Sequence, residues 1–416
     1  MVLVGESPAG VPIVSNEKPP AHLKRRIAVI DGYRAVAILS VLSYHYTVRW
    51  APPEDPGGLL MAGKMFDGII PLEYGWLGVE FFFAISGFVI LMTLESCASV
   101  TDFVFRRFAR LWPAMLVAAT LTTLVITFWG PDGWSVSRYD YFSSVLLMDP
   151  SISSLLLHRP TQWVDGAYWS LWVEIQFYVL AAAVYLLVRK NFVAAWLVLM
   201  ACLALCLPFY TLTIPRYLPI HHLVGLLQAF VVPFLLLNYF PYFTLGICAY
   251  EIWSRGALRR LAIAGAVLAA AVILGSAAAK LNMFGGSDPW ITVPANLLIF
   301  ALLALFVIDH PLVGIFRFRP LVLVGQGSYS LYLLHQVIGI SLMRRFIDLG
   351  IPYLVILPLM IAAMIGLSLL LFSWVEIPAK SWILRHARPI IPRLDRVLPG
   401  LNYRSKMPAP APAKAA

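Results

Sequence analysis

An all-α, polytopic membrane helical bundle of about ten transmembrane helices, with the N- and C-termini cytoplasmic, is the fold this sequence predicts. Three observations predict it. Of 416 residues, 60% are hydrophobic and only 12% charged, and the mean hydropathy is +0.81; a soluble domain is nearer half apolar and a quarter charged. Apolar runs of span length recur along the chain. Basic residues gather in alternate connecting loops.

Residues 1–26 are polar, contain Pro and Gly, and end in Lys24-Arg25-Arg26. The apolar run that follows ends in His45, Tyr46 and Arg49 and lacks a small-residue cleavage site, so it reads as a first transmembrane helix over 28–48 and not as a cleavable signal. At about 20 apolar residues per span, the others fall at 75–95, 111–129, 167–188, 192–212, 236–254, 260–279, 290–308, 328–347 and 352–375. Pro233 and Pro241 interrupt the run around the sixth, where a re-entrant piece also fits.

The basic loops hold Arg106, Arg107 and Arg110, then Arg189-Lys190, then Arg255, Arg259 and Arg260, then Arg317 and Arg319, then the run from Lys380 to Lys406. The loops between carry Glu54, Asp55, Asp67 and Glu73, or Asp132, Asp140, Asp149 and Asp165, and the positive-inside rule makes the basic side cytoplasmic. Arg344 and Arg345 fall on the expected outer side and break the pattern. The net charge of +10 is accounted for by this topology, with part of it free to serve an anionic ligand, and no nucleic-acid partner is expected. The organisation is a cytoplasmic segment 1–27, a membrane domain 28–380 and a basic cytoplasmic tail 381–416, expected to be disordered from Pro408. Cys97, Cys202, Cys206 and Cys248 form no CxxC pair and read as small core residues, without disulfides or zinc. His221-His222 lacks carboxylates at ligand spacing, and no metal is expected.

Charged groups inside the spans point to function. Arg34 and His45 are eleven residues apart, about three turns plus 20°, so they face one way at two depths, roughly 16 Å apart. Asp31 sits three residues before Arg34 on the same face. Singly, Arg34 also fits an interfacial snorkelling residue and His45 a histidine that bonds a neighbouring helix; their alignment favours an inward stripe. Arg107 and Arg110 share a face at the expected start of the third helix, where guanidinium forks and a helix N-terminus suit phosphate. With Arg34 they read as a pocket for a cytoplasmic anion such as a nucleotide phosphate. Glu80 opens the second helix, whose Ser86 and Gly87 suit close packing. Glu174 is an intramembrane carboxylate. Ser328, Tyr332 and His335 put polar groups into the ninth helix.

In order along the chain, Arg34-x10-His45, GVEFFFAISGF from Gly78, Arg107-Phe-Ala-Arg110 with Pro113, WSLWVEIQFY from Trp169, SYSLYLLH from Ser328 and Glu376-Ile377-Pro378 resemble the motifs of acyltransferase family 3. Ile175 stands where that family carries a second Glu. The resemblance implies a multi-pass protein of the bacterial inner membrane that moves an acyl group, usually acetyl, from cytoplasmic acyl-CoA to a hydroxyl of a surface or exported carbohydrate or glycolipid. The coenzyme phosphates would then sit on Arg34, Arg107 and Arg110. His45 would take the acceptor's proton, and Glu174 is a candidate to orient it. Asp31, Glu80, Ser170, Ser328, Tyr332 and His335 would support substrate or structure. A covalent acyl-enzyme is the two-step variant. Some family members continue into a hydrolase-like domain; the length of this chain leads us to expect handover by the membrane domain alone or by a separate protein. Acylation of a macrolide or lipid is an alternative, and a proton-coupled secondary transporter is the alternative from another class.

Overall fold

A computed structural model describes residues 21–50, 59–211, 236–278, 288–397 and 401. Among them all regular structure is helical. The readings made for His221-His222, Pro233 and the tail from Pro408 lie outside the described residues.

Helix α1 (Ala21–Tyr44) widens at its end into one π-helical turn, His45–Arg49. Next come α2 (Leu77–Ser96) and α3 (Val100–Trp129). Two short helices, Arg138–Val145 and Pro150–Leu157, precede α4 (Trp169–Val188) and α5 (Phe192–Thr211). Helices α6 (Leu236–Trp253), α7 (Arg259–Ala278) and α8 (Pro289–Val307) complete the middle of the chain. The last part is α9 (Arg319–Gln326), α10 (Ser328–Leu334), α11 (Val337–Asp348), α12 (Tyr353–Leu371), a second π-turn at Phe372–Glu376 and α13 (Ile377–Ala387).

Seven helical stretches among the described residues are long and apolar enough to cross a membrane, so the expected ten is not reproduced as ten such helices. One of the seven, Gly166–Leu203, runs through the expected fourth span and into the fifth. The expected sixth position is held by the 18 residues of α6. The expected ninth helix is not continuous: it breaks at His335-Gln336 into α10 and α11. Large apolar side chains such as Leu187, Val198, Val267 and Leu359 face outward, as lipid-facing surfaces require.

At the centre stands α2, the most enclosed of the spans, packed against α1, α4 and α6. Its contact with α6 is backbone to backbone. A Cβ on Gly87 would overlap the Phe243 carbonyl, and one on Gly246 the Ala84 carbonyl. The expectation that Gly87 serves close packing is met here, for the reason that small residues serve membrane bundles generally. Cys97 and Cys248 are buried, as expected of small core residues, but Cys202 is exposed, because its position on α5 turns outward.

The third helix begins eleven residues earlier than expected, at Val100 instead of Leu111. Ser99 caps it by accepting from the Asp102 N–H (3.1 Å), and Asp102 takes Arg106 in a bidentate pair (2.8 and 3.1 Å). Arg107 and Arg110 therefore stand two turns or more inside α3. The partial positive charge of a helix end falls off within the first turn and does not reach them.

Candidate active site

A half-open cavity of about 220 Å³ lies between α1, α2, α3, α4 and α10. The first helix brings Asp31 and Arg34, α3 brings Arg107 and Arg110, α4 brings Ser170, Glu174 and Tyr178, and α10 brings Ser328 and Tyr332. Residues spread over about 300 positions of sequence thus meet in one chamber. Three guanidinium groups face two carboxylates there, an excess of one positive charge (3 − 2). Arg34 pairs loosely with Asp31 (3.9 Å), the pairing expected from their spacing. Arg107 donates to Thr93 Oγ1 (2.8 Å) and lies over the rings of Phe103 and Tyr178. Two buried polar atoms of the lining, Arg107 Nε and Ser328 Oγ, have no hydrogen-bond partner. A buried donor without an acceptor costs about 1–3 kcal/mol; both atoms are closed off from the cavity space as well as from solvent, so a ligand reaches them only if the wall moves.

The deep end of the cavity is closed by Tyr332. Its hydroxyl donates to the Ala167 carbonyl (2.9 Å) and accepts from Ser170 Oγ (2.7 Å). Its ring tilts against that of His335, with centroids 5.5 Å apart. His335 Nε2 in turn lies 3.2 Å from His45 Nδ1. His45 itself does not line the cavity, although Arg34 on the same helix does. It is half-buried and stands on the π-turn beyond Tyr332. The two ends of the expected stripe therefore open to different spaces, with Tyr332 and His335 between them.

The hydrogen bonds fix where the protons sit on this histidine pair. His45 Nδ1 is 2.9 Å from the Val41 carbonyl, and His335 Nδ1 is 2.8 Å from the Tyr332 carbonyl. A carbonyl only accepts, so each neutral ring carries its proton on Nδ1. His45 Nε2 is then the free basic nitrogen. If it takes a proton, the Nδ1–H has two acceptors, the Val41 carbonyl and His335 Nε2, to share the charge. Glu174 was the expected orienting partner of His45, but it lies in the cavity with the arginines, and the side chain that meets His45 is His335.

Distant side chains take up backbone groups at the helix break that presents His335. The His335 carbonyl accepts from the Tyr46 hydroxyl (2.6 Å), the Leu333 carbonyl from the Tyr168 hydroxyl (3.3 Å), and the Val337 N–H donates to Asp165 Oδ2 (2.9 Å). Asp165 also caps the turn leading into α4 through the Ala167 N–H (2.8 Å). Burial pushes its carboxyl up to about 6, against the opposing pull of those two N–H donors. Asp165 reads in the sequence as one loop acid among several; the signal that could have marked it is an Asp immediately before a helical start. Glu376 accepts from Ser330 and so ties the second π-turn to α10.

Glu80 belongs elsewhere. It is buried behind α2, where it accepts from the Tyr242 hydroxyl (2.6 Å), whose oxygen is also 2.8 Å from Asn296 Oδ1. It joins α2, α6 and α8 and does not face the cavity. No group of three His, Cys, Asp or Glu side chains able to hold a metal ion occurs among the described residues.

A family model described as an acyltransferase domain matches residues 27–374, which contain every group that lines the cavity and both histidines of the pair. The chain belongs to acyltransferase family 3. The seven apolar helical stretches among its described residues fit a multi-pass membrane protein. Among its relatives, the peptidoglycan O-acetyltransferase OatA of Listeria monocytogenes is 26% identical over 396 residues, covering 86% of this chain and 57% of that protein. The O-acetyltransferase OatA of Staphylococcus aureus is 25% identical over 400 residues, covering 86% and 58%. The chain thus spans a little over half the length of these curated relatives. No solved structure matches it.

Proposed function

We propose that this acyltransferase carries an acetyl group from cytoplasmic acetyl-CoA to a hydroxyl of the cell-wall glycan. The acceptor class rests on the two relatives, whose names give O-acetylation, in one case of peptidoglycan. The donor rests on the cavity, where three arginines meet. In this reading Arg34, Arg107 and Arg110 take the diphosphate, since guanidinium forks bind phosphate oxygens bidentately. The thin pantetheine arm runs toward Tyr332, and Glu174, Ser170 and Ser328 offer hydrogen-bond partners for its amides. Asp31 holds Arg34 in place.

His45 is the general base. The acceptor hydroxyl approaches it from the side away from the cavity, and the Tyr332 ring must swing aside for the two substrates to meet. His45 Nε2 takes the hydroxyl proton as the oxygen attacks the thioester carbon. The C–S bond breaks, a C–O ester bond forms, and the proton passes from the imidazolium to the departing thiolate. His335 is a positioning residue that accepts from His45 Nδ1–H while the charge is present.

The experiment compares membranes carrying wild-type protein or His45→Ala, supplied with acetyl-labelled acetyl-CoA, with label followed into glycan and lipid-linked fractions. Loss of a general base removes about 10²–10⁴-fold of rate, so label with wild type and essentially none with the variant, at equal protein levels, is expected. Equal labelling would remove His45 from the chemistry, and no labelling in either would overturn the donor or the acceptor.

A further inference from the structure

The cavity holds only part of a coenzyme. At about 220 Å³ it lies below the roughly 300–1,000 Å³ usual for a drug-sized ligand, so on the reading above the adenine nucleotide must rest outside it, at the basic end of the bundle. The groups waiting there are not equivalent. Arg106 is spent on Asp102. Arg107 and Arg110 belong to the cavity wall. One further cation, Lys380 on α13, completes the cluster.

Helix α13 packs on α3, and Lys380 is within Coulombic range of Arg106, Arg107, Arg110 and Glu376. Glu376, one turn earlier on the same face, is buried and engaged by Ser330. Among the described residues no salt bridge or hydrogen bond involves the Lys380 ammonium, and the side chain is exposed. A lysine held beside three arginines suffers repulsion that an added anion relieves. Its compact charge suits a solvated monoester phosphate, which carries close to two negative charges at neutral pH, better than it suits the fork-matched oxygens of a diphosphate.

We infer that Lys380 is a donor-specificity residue that reads the ribose 3′-phosphate of the coenzyme outside the cavity, on the helix that packs against the arginine-bearing α3. The inference rests on acetyl-CoA being the donor. It assigns the diphosphate to the arginines within and the 3′-phosphate to the lysine without, so it separates acetyl-CoA from acetyl-3′-dephospho-CoA, which lacks only that group.

The test measures transfer from both donors by wild type, Lys380→Met and Lys380→Arg in membranes. An exposed charge pair is worth a few-fold and a charge-assisted hydrogen bond more, so a preference on the order of five- to tenfold in KM for the full coenzyme is expected of wild type. In K380M the KM for acetyl-CoA should rise to that for the dephospho donor, which itself should not change, with kcat preserved; K380R should keep the preference. A preference retained in K380M, or equal losses on both donors in K380M and K380R, would overturn the inference while leaving the donor reading intact. Wild type that uses neither donor would overturn the donor reading, and this inference with it.

Discussion

At the scale of single residues, the histidine pair and Asp165 divide the work. His45 presents a basic nitrogen because a carbonyl one turn back claims the other, and His335 gives the resulting charge a second acceptor. Asp165 never touches either ring, yet it holds both the start of α4 and the start of α11, and so fixes how His335 is presented. Its burial raises the carboxyl from the ordinary 3.8 to about 6. The folded chain then binds this proton more tightly than the unfolded chain. The stabilisation is complete below about pH 4 and is lost as pH rises through 6. Asp165→Asn cannot titrate, so the melting temperature of detergent-solubilised wild type, minus that of D165N, should fall across this window; a constant difference would count against the shift. At any pH the Asn offers one carbonyl acceptor for two N–H donors, and D165N should lose about 1–3 kcal/mol at the pH where wild type is most stable.

Among the elements, the irregular turns matter most. Each π-turn carries a group of the site region, His45 on one and Glu376 on the other, in keeping with the placing of such turns at functional positions. The break between α10 and α11 is supported by Tyr46, Tyr168 and Asp165, which bond three of the backbone groups beside it. The opposite demand, unbroken contact, falls on α2 and α6. Gly246→Ala places a methyl against the Ala84 carbonyl, backbone that cannot step aside. We expect a loss of about 1–3 kcal/mol, read as a lower melting temperature. Gly275→Ala on α7 meets open space and should be neutral or gain about 0.5–1 kcal/mol through helix propensity. Equal behaviour of the two variants would refute close packing as the role of Gly246.

Over the whole molecule, the alternation of basic and acidic loops asks for an even number of crossings with both termini on the basic side. A reporter that works only in the cytoplasm should be active when fused at either end, and one that works only outside should be silent at both. Opposite results at the two ends would require an odd count. Arg344 is the basic residue that fits the rule least, and it is neutralised locally by Asp348 at 3.0 Å.

The sequence by itself determined a good deal: an all-helical membrane protein, the family, and the arginines that share a chamber. These depend on composition, on periodicity along one helix and on short ordered motifs, all of which are local. The Asp31–Arg34 pair was legible for the same reason, being three residues apart on one helix. Only the tertiary structure decided that His45 leaves the arginine cavity and meets His335, 290 positions away, and that Glu174 joins the arginines instead. Such neighbours depend on the angles at which helices cross and on where their turns widen or break. A break within an apolar run costs free energy locally and is allowed only because distant side chains satisfy it, so nothing in the run itself announces where it falls.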